Sequence, residues 1–169
     1  MRVPVWGALF LIVALAVTAT RGAESIVGSS FVGLDGVTVY VEEPDSTFVE
    51  RGITMAVIQT PVELLLRQNG IPVLNEGDPG LSAGNPVLYV MITGVINEEM
   101  HQYAYQIQME LTQTVTLERD PELIVDGATT WRTGGVALSG PQWRESLLTD
   151  LDGFATEFVQ AYFEGEPGE

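Results

Sequence analysis

The longest regular pattern in the chain lies between residues 103 and 117, where apolar and polar side chains alternate. From Gln106 to Thr116 the polar positions hold only glutamine, glutamate or threonine, and Gln113 is the one polar residue on the apolar parity. A period of two is typical of a β-strand with one face against a core and the other in solvent. The apolar positions are Tyr103, Tyr105, Ile107, Met109, Leu111, Val115 and Leu117. We expect the rest of the fold to be arranged around this strand.

Alternation predicts strands on both sides of it along the chain. A first strand is expected at 36–43 and a short one at 71–74. The segment 87–97 is apolar on both faces, which favours a position near the middle of the sheet. A final strand is expected at 128–138, with a bulge or bend at Gly134–Gly135. Short connections predict that the last three strands form an antiparallel meander.

Two helices are predicted. Thr47 and Glu50 have the spacing of a capping box, which starts the first helix. Pro61 predicts either a kink or a division into two shorter helices, because its ring clashes with the preceding turn. Gly70 is the expected stop signal. The second helix carries a single apolar stripe of Trp143, Leu147, Leu151, Phe154, Phe158 and Tyr162, which is typical of a helix packed on a sheet.

These elements predict an α+β fold in the order β-α-β-β-β-β-α. The expected architecture has two layers: a mixed, mostly antiparallel sheet of about five strands, with both helices on one face.

The N-terminus is predicted to be a secretory signal peptide. Arg2 precedes an apolar run from Trp6 to Val17, which is short for a membrane span of roughly 20 residues. Small residues favour cleavage after Ala19, and an uncleaved anchor is the alternative. We therefore expect export to the periplasm or the extracellular space. The predicted organisation is a signal peptide at 1–19, a flexible leader at 20–35, a single domain at 36–165 and a tail at 166–169.

Composition limits the partners and the chemistry. There are 23 acidic residues against seven basic ones, all arginine, and the formal net charge is −16. Such a charge disfavours nucleic acid and anionic lipid as partners, so membrane contact is expected only if the N-terminal segment is retained. Cysteine is absent, which excludes disulfides, thiolate metal sites and a cysteine nucleophile. The lack of lysine also raises the hypothesis of a high-salt habitat.

A search for catalytic motifs finds only His101, the single histidine. A hydrolase hypothesis needs a carboxylate to orient this side chain, and Glu98, Glu99 and Asp120 are the candidates. The sequence Asp150–Gly153 fails as a calcium loop, because Leu148 and Val159 occupy positions that require acids. We therefore expect no enzyme activity, no cofactor and no metal.

Four segments carry a resemblance: VELLLRQNGIPVL (62–74), YAYQIQMELTQTVTLERD (103–120), ATTW (128–131) and FVQAYF (158–163). They resemble a functionally uncharacterised family of small exported bacterial proteins. The order of predicted elements is similar to that of the N-terminal domain of TolB and of the lipoprotein LptE. Those are envelope modules that act through protein contacts, and the resemblance implies the same kind of role. The chain departs from LptE in lacking a lipobox cysteine, and no propeller follows as in TolB.

One surface is a candidate site: the face of the sheet opposite the helices. We expect it to be flat and polar. A solvated sheet face is the ordinary explanation, and a docking surface for another envelope protein is the functional alternative. Its predicted members are Gln106, Gln108, Glu110, Thr112, Thr114, Thr116, Trp131 and Arg132. Approximate pairing across the Asp120 turn places Trp131 opposite Val115 on the apolar face, which favours the core, but a shift of one residue in register would expose it as a binding residue. The alternative function is a small-molecule or lipid carrier with a pocket between helices and sheet.

Overall fold

A computed structural model describes residues 30–75, 84–97, 99 and 101–165 of the chain. The fold is α+β, as predicted, and consists of a four-stranded sheet with its helices on one face. The elements are β1 (Thr38–Val41), α1 (Ser46–Val49), α2 (Met55–Gln68), β2 (Val87–Asn97), β3 (Gln102–Leu117), β4 (Asp120–Ser139) and α3 (Trp143–Gly165). The predicted signal peptide and C-terminal tail lie outside the described residues.

The sheet has the strand order β1-β2-β3-β4. β1 is parallel to β2, and the other two pairs are antiparallel, so the predicted meander is confirmed. The prediction of five strands is wrong by one. The segment 71–74 makes a single bridge, between Val73 and Val37, because from Thr38 onward the first strand pairs with β2 instead.

β4 is longer than predicted. It begins at Asp120 rather than Ala128, directly after the turn that follows Leu117, and it spans 20 residues. Of the bulge or bend expected at Gly134–Gly135, the bulge is absent, since both glycines pair in register with β3. The irregularities lie nearer the turn, where three register shifts interrupt the pairing of β4 with β3. Extra residues on β4 absorb these shifts. Because β4 is an edge strand, the missing N–H of Pro121 is tolerated there.

The first helical segment divides earlier than Pro61 indicated. Asp45, not Thr47, caps α1 by accepting a hydrogen bond from the Thr47 N–H at 2.8 Å. Gly52 then turns the chain with a φ of 80°, and Thr54 caps α2. Pro61 lies within α2, which continues through it to Gln68. The predicted stop is confirmed, because Gly70 has a left-handed φ of 79°.

α3 packs on β3 and β4 through its predicted stripe, in which Phe154 is half-buried and the other five members are buried. A helix that buries one stripe and exposes charge on the other is typical of a surface helix. Among the described residues, no helix combines the length and apolarity required to cross a bilayer.

The core extends N-terminal to the predicted domain boundary. Phe31 is 1% exposed and contacts Trp131, Phe158 and Tyr162, with ring centroids 6.1, 5.6 and 6.4 Å apart. Leu34 is also buried, and its carbonyl accepts a hydrogen bond from the Tyr162 hydroxyl. The prediction of a flexible leader to residue 35 therefore needs correction over 30–35, which belong to the fold. The preceding residues of that leader lie outside the described residues.

Gln113, the exception in the β3 pattern, has a structural role. Its side-chain amide donates to the Ser30 carbonyl at 2.9 Å and to the Thr130 hydroxyl at 2.7 Å. It thus ties the entering chain to β3 and β4 at the end of the core.

Tyr105 and Asp150 form a polar link between β3 and α3. The Tyr105 hydroxyl donates to the Asp150 carboxylate at 2.7 Å. Burial, and then this hydrogen bond to a carboxylate, raise the pKa of Tyr105 above its ordinary value of 10. The neutral phenol is favoured in the folded state, so its contribution to stability is complete below pH 10. That contribution is lost as pH rises from 10 toward the higher pKa of the folded state.

We expect unfolding free energy to fall above about pH 10 with a slope of roughly 1.4 kcal/mol per pH unit from Tyr105. The chain has no lysine, so tyrosines alone account for side-chain titration in this range. Urea unfolding of the wild type and of Tyr105→Phe is measured at a series of alkaline pH values. The difference between their unfolding free energies should shrink as pH rises. Tyr40→Phe, at an exposed position, is the control. Parallel pH profiles for wild type and Tyr105→Phe would contradict the assignment.

Candidate functional site

The helix-free face is the surface of the sheet opposite α2 and α3. On β3 its residues are those of even number, because Tyr103, Tyr105, Ile107, Met109 and Leu111 point to the core. Pairing extends the face in cross-strand rows. Glu110 lies between Tyr89 and Arg132, Gln106 between Thr93 and Val136, and Ala104 between Val95 and Leu138.

A hydrogen-bonded ladder runs along the centre of this face. The Gln106 amide donates to Gln108 at 3.4 Å, and the Gln108 amide donates to Glu110 at 2.6 Å. The other Glu110 oxygen accepts from the Thr129 hydroxyl at 3.1 Å. The predicted polar positions Gln106, Gln108 and Glu110 therefore form one connected strip whose side chains are held in place by each other.

The three threonines belong to a separate part of the face. Thr112 donates to the Val87 carbonyl at 3.4 Å, and Thr114 donates to Asp126 at 3.0 Å. Thr116 lies ten residues beyond Gln106 on β3, which corresponds to about 33 Å. Their partner β4 is shifted in register beside them. The predicted flat strip is therefore two regions, of which only the one from Gln106 to Glu110 has a regular neighbour on each side.

Trp131 is a core residue, so its prediction as a member of the binding face is wrong. It is 9% exposed, pairs with Leu111 rather than with Val115, and contacts Phe158 with ring centroids 5.2 Å apart. The extra residue on β4 at Thr130 determines this parity. Arg132, the next residue, is on the helix-free face as predicted, and its guanidinium contacts no hydrogen-bond acceptor or carboxylate of the described residues.

Three exposed apolar side chains on this face were missed from the sequence. Val95, Val136 and Leu138 are 69%, 74% and 86% exposed. Val95 and Leu138 flank Ala104 in one row, and Val136 is in the next row. We call these three residues the apolar cluster. The sequence contained a signal for two of them, because Val136 and Leu138 have the same parity as Arg132 and therefore lie on the same face of the strand. A solvated sheet face normally carries polar residues at such positions.

An aromatic pair occupies the opposite end of the same face, at the β1 edge. The Tyr40 and Tyr89 rings are stacked, with centroids 5.6 Å apart and an interplanar angle of 12°. The Tyr89 hydroxyl donates to the Glu42 carboxylate, and this bond raises the pKa of Tyr89 to about 12. Tyr89 is therefore a neutral hydrogen-bond donor at physiological pH and provides no base.

β4 forms a long edge of the sheet, and no strand of the described residues pairs with its outer side. Its first half contains Pro121, the acidic side chains of Glu122 and Asp126, and the register shifts. Proline, charge and bulges are the features with which proteins block strand addition at an edge. The second half, Trp131–Ser139, makes nine consecutive regular pairs with β3 and has one charge, Arg132. We call this second half the open edge.

A shallow depression of about 460 Å³ lies along the open edge, lined by Gln106, Gln108, Arg132, Gly134 and Val136 among others. Gly134 pairs with Gln108 in this lining and contributes no side chain to it. A Cβ at Gly134 would lie 2.3 Å from the Ile107 carbonyl oxygen, so only glycine fits. The depression is open to solvent and has polar walls on the β3 side.

The structure separates His101 from Asp120, one of the three candidate carboxylates, and the exposed Glu99 makes no hydrogen bond or ion pair with it among the described residues. His101 is exposed in the turn between β2 and β3, with a left-handed φ of 50°. Asp120 lies at the far end of the 16-residue β3, about 50 Å away. Glu98 is outside the described residues. In the part of the chain that is described, no group of His, Asp and Glu is arranged to hold a metal ion.

Buried side chains of the sheet and of α2 and α3 form the core in the layer where the carrier hypothesis places its pocket. An apolar depression of about 170 Å³ lies between α2 and α3, lined by residues that include Pro61, Leu148 and Leu151. Small-molecule sites usually have about 300–1,000 Å³, so this depression is smaller than a typical ligand pocket.

No protein-family model and no curated protein matches this chain. Among solved structures, the chain is similar to the 2.35 Å crystal structure of a minor lipoprotein from Acinetobacter baumannii. The identity is 13%, the TM-score is 0.38, and the match covers 75% of this chain and 88% of the other. The resemblance to small exported proteins stays a prediction from the sequence, and the comparisons give no support to its TolB and LptE part.

Proposed function

We propose that this protein is a non-enzymatic, exported module of the cell envelope that binds another protein through the helix-free face and the open edge. The observation that carries the proposal is the apolar cluster beside an unblocked edge strand. Val136 and Leu138 are 74% and 86% exposed on that strand.

Isolated apolar residues on a surface are ordinary, but adjacent ones on a sheet face are typical of interaction sites. Here the cluster borders the hydrogen-bonded ladder from Gln106 to Glu110, whose side chains are already ordered. A partner would bury the apolar cluster and meet polar groups that lose little conformational entropy on binding. This combination of an apolar centre and a fixed polar border resembles the anatomy of protein interfaces.

The predicted signal peptide at 1–19 supports export, and the net charge of −16 keeps nucleic acid and anionic lipid from being favoured partners. The exposed, isolated position of His101 supports a role without catalysis. The small depression between α2 and α3 makes the carrier function the weaker alternative.

Photo-crosslinking in the native envelope tests the proposal. A photoreactive amino acid is placed at Val136, and a matched one at Leu64, which is 53% exposed on α2. We expect a defined protein adduct from position 136 and none from position 64. The lysine variants Val136→Lys and Leu138→Lys should reduce partner binding about tenfold or more, because they put a solvated charge into the interface. Met55→Lys and Leu64→Lys are the controls with the same change of charge.

Each variant should retain the thermal unfolding midpoint of the wild type within a few degrees, which separates lost binding from lost folding. The absence of a protein adduct at position 136, or equal binding by the Val136→Lys and Leu64→Lys variants, would disprove the proposed function.

A further inference from the structure

We infer that the occupant of the open edge is an extended segment of a partner protein that carries lysine or arginine and adds to β4 as a fifth strand. This inference rests on the proposed function, since it names the chemistry of the partner at the same site. It goes further in specifying both the backbone mode of binding and the charge of the bound segment.

The geometry of β4 supports strand addition. An edge strand has alternate N–H and C=O groups directed away from its sheet, and an extended chain can pair with them. Over Trp131–Ser139 the ladder with β3 is regular, so the outward groups are evenly spaced. The segment Thr133–Ser139 has no charge, proline or bulge that would block such pairing. The other half of the same strand, from Asp120, carries proline, charge and register shifts, so within β4 only the second half lacks these features.

The charges around the open edge select the occupant. α3 contacts β4 from the core side, and Glu157 on α3 accepts a hydrogen bond from Thr133 on the open edge. The acidic residues of α3 are Glu145, Asp150, Asp152, Glu157 and Glu164, and its one basic residue is Arg144. An added strand would therefore place half of its side chains toward an acidic helix. Its other half would face the row of Val136 and Leu138, which favours apolar side chains.

A second copy of this chain is a poorer occupant. Two β4 strands paired edge to edge would bring two acidic α3 helices onto the same side, in molecules that each have a formal charge of −16. A basic segment gains from the same field, both in the rate of encounter and in discrimination against acidic competitors.

The test selects random peptides of about ten residues, displayed on phage, on the purified full chain at physiological salt. We expect enriched peptides to alternate in hydrophobicity and to carry an excess of lysine or arginine. Each selected peptide is then synthesised in two N-methylated forms. One form is methylated at the backbone amides of its odd-numbered residues, and the other at those of its even-numbered residues. Only the set whose amides point at β4 should lose binding, because alternate amides of a strand point to opposite edges. Both sets keep the peptide charge, so nonspecific attraction would leave them equal.

Two charge variants are expected to change the affinity for the selected peptide in opposite directions, which a merely structural role would not produce. Glu157→Gln should weaken binding of the selected peptide about two- to fivefold, and Arg132→Gln should tighten it by a similar factor. Glu43→Gln, which follows β1 at the opposite edge of the sheet, makes the same charge change as Glu157→Gln and should leave affinity unchanged.

Four results would overturn the inference: no enriched peptide, enriched peptides without basic excess, equal binding by both N-methylated sets, or weaker binding by Arg132→Gln. A chain that sediments as a dimer through β4 would overturn it as well. If the crosslink at position 136 still identifies a partner in any of these cases, the proposed function stands and only its occupant is wrong.

Discussion

Replacing Phe31 by alanine is expected to lower the free energy of unfolding by about 3–5 kcal/mol. The ring is 1% exposed and packs edge-on against Trp131, Phe158 and Tyr162, so the substitution removes a large side chain from an aromatic cluster. Both the lost burial and the remaining cavity contribute to the cost. Since domains have about 5–15 kcal/mol of stability in total, this residue accounts for a substantial share.

Urea unfolding at neutral pH measures the effect. Val32→Ala is the matched control, since Val32 is the next residue and 56% exposed, and its loss should change stability by less than about 0.5 kcal/mol. Equal stability of the Phe31→Ala and Val32→Ala variants would show that residues 30–35 are dispensable, as a flexible leader would be. The same measurement therefore decides where the folded domain begins.

The second large effect is expected at Gly94, where an added methyl group has no space. A Cβ there would lie 2.2 Å from the Ala104 carbonyl oxygen and 2.8 Å from the Tyr105 Cα, both on the neighbouring strand. The Phe48 ring of α1 would lie 3.0 Å from the same Cβ. Backbone atoms cannot move aside as a flexible side chain can, so β2 and β3 would have to separate. We expect Gly94→Ala to cost about 1–3 kcal/mol.

Replacing glycine by alanine also restricts the unfolded chain, which stabilises proteins by about 0.4–1 kcal/mol where the fold permits it. Gly153 is such a position, because it is in the interior of α3 and a Cβ added there would meet no neighbouring element within 4 Å. Gly153→Ala should therefore raise the unfolding free energy by up to about 1 kcal/mol. Opposite signs for the two substitutions are the expected result, and a neutral or stabilising Gly94→Ala would contradict the close approach of the strands.

Local patterns predicted the elements that have a long, unbroken period. β3 was expected at Tyr103–Leu117 and is observed at Gln102–Leu117, and β2 is observed at its predicted bounds, 87–97. The stripe from Trp143 to Tyr162 likewise predicted α3 and its buried side. Each turn of the helix, and each pair of residues along a strand, repeats the same pattern of apolar and polar positions. The element can therefore be recognised without any contact that is distant in sequence.

Predictions that depended on a single local signal were less accurate. Pro61 indicated a kink or a division into two helices, and the division does not occur: α2 is continuous from Met55 to Gln68, with Ile58, Val62 and Leu66 buried on both sides of the proline. Phe31 was assigned to the leader because its neighbours are small and polar, and only its contacts with β4 and α3 place it in the core.

The sequence by itself determined the alternation of β3, the stripe of α3, the α+β class and the polar parity from Gln106 to Thr116, whereas the structure limited the connected strip to Gln106–Glu110. The tertiary structure decided which residues of β4 join that strip. Trp131 is in the core and Val136 and Leu138 are exposed because an extra residue at Thr130 sets the register of β4 against β3. Alternation is a property of neighbouring residues, whereas register depends on contacts between strands, and a shift of one residue exchanges the two faces. The polar residues of the candidate site were therefore predicted from the sequence, whereas its apolar residues were identified only from the strand pairing.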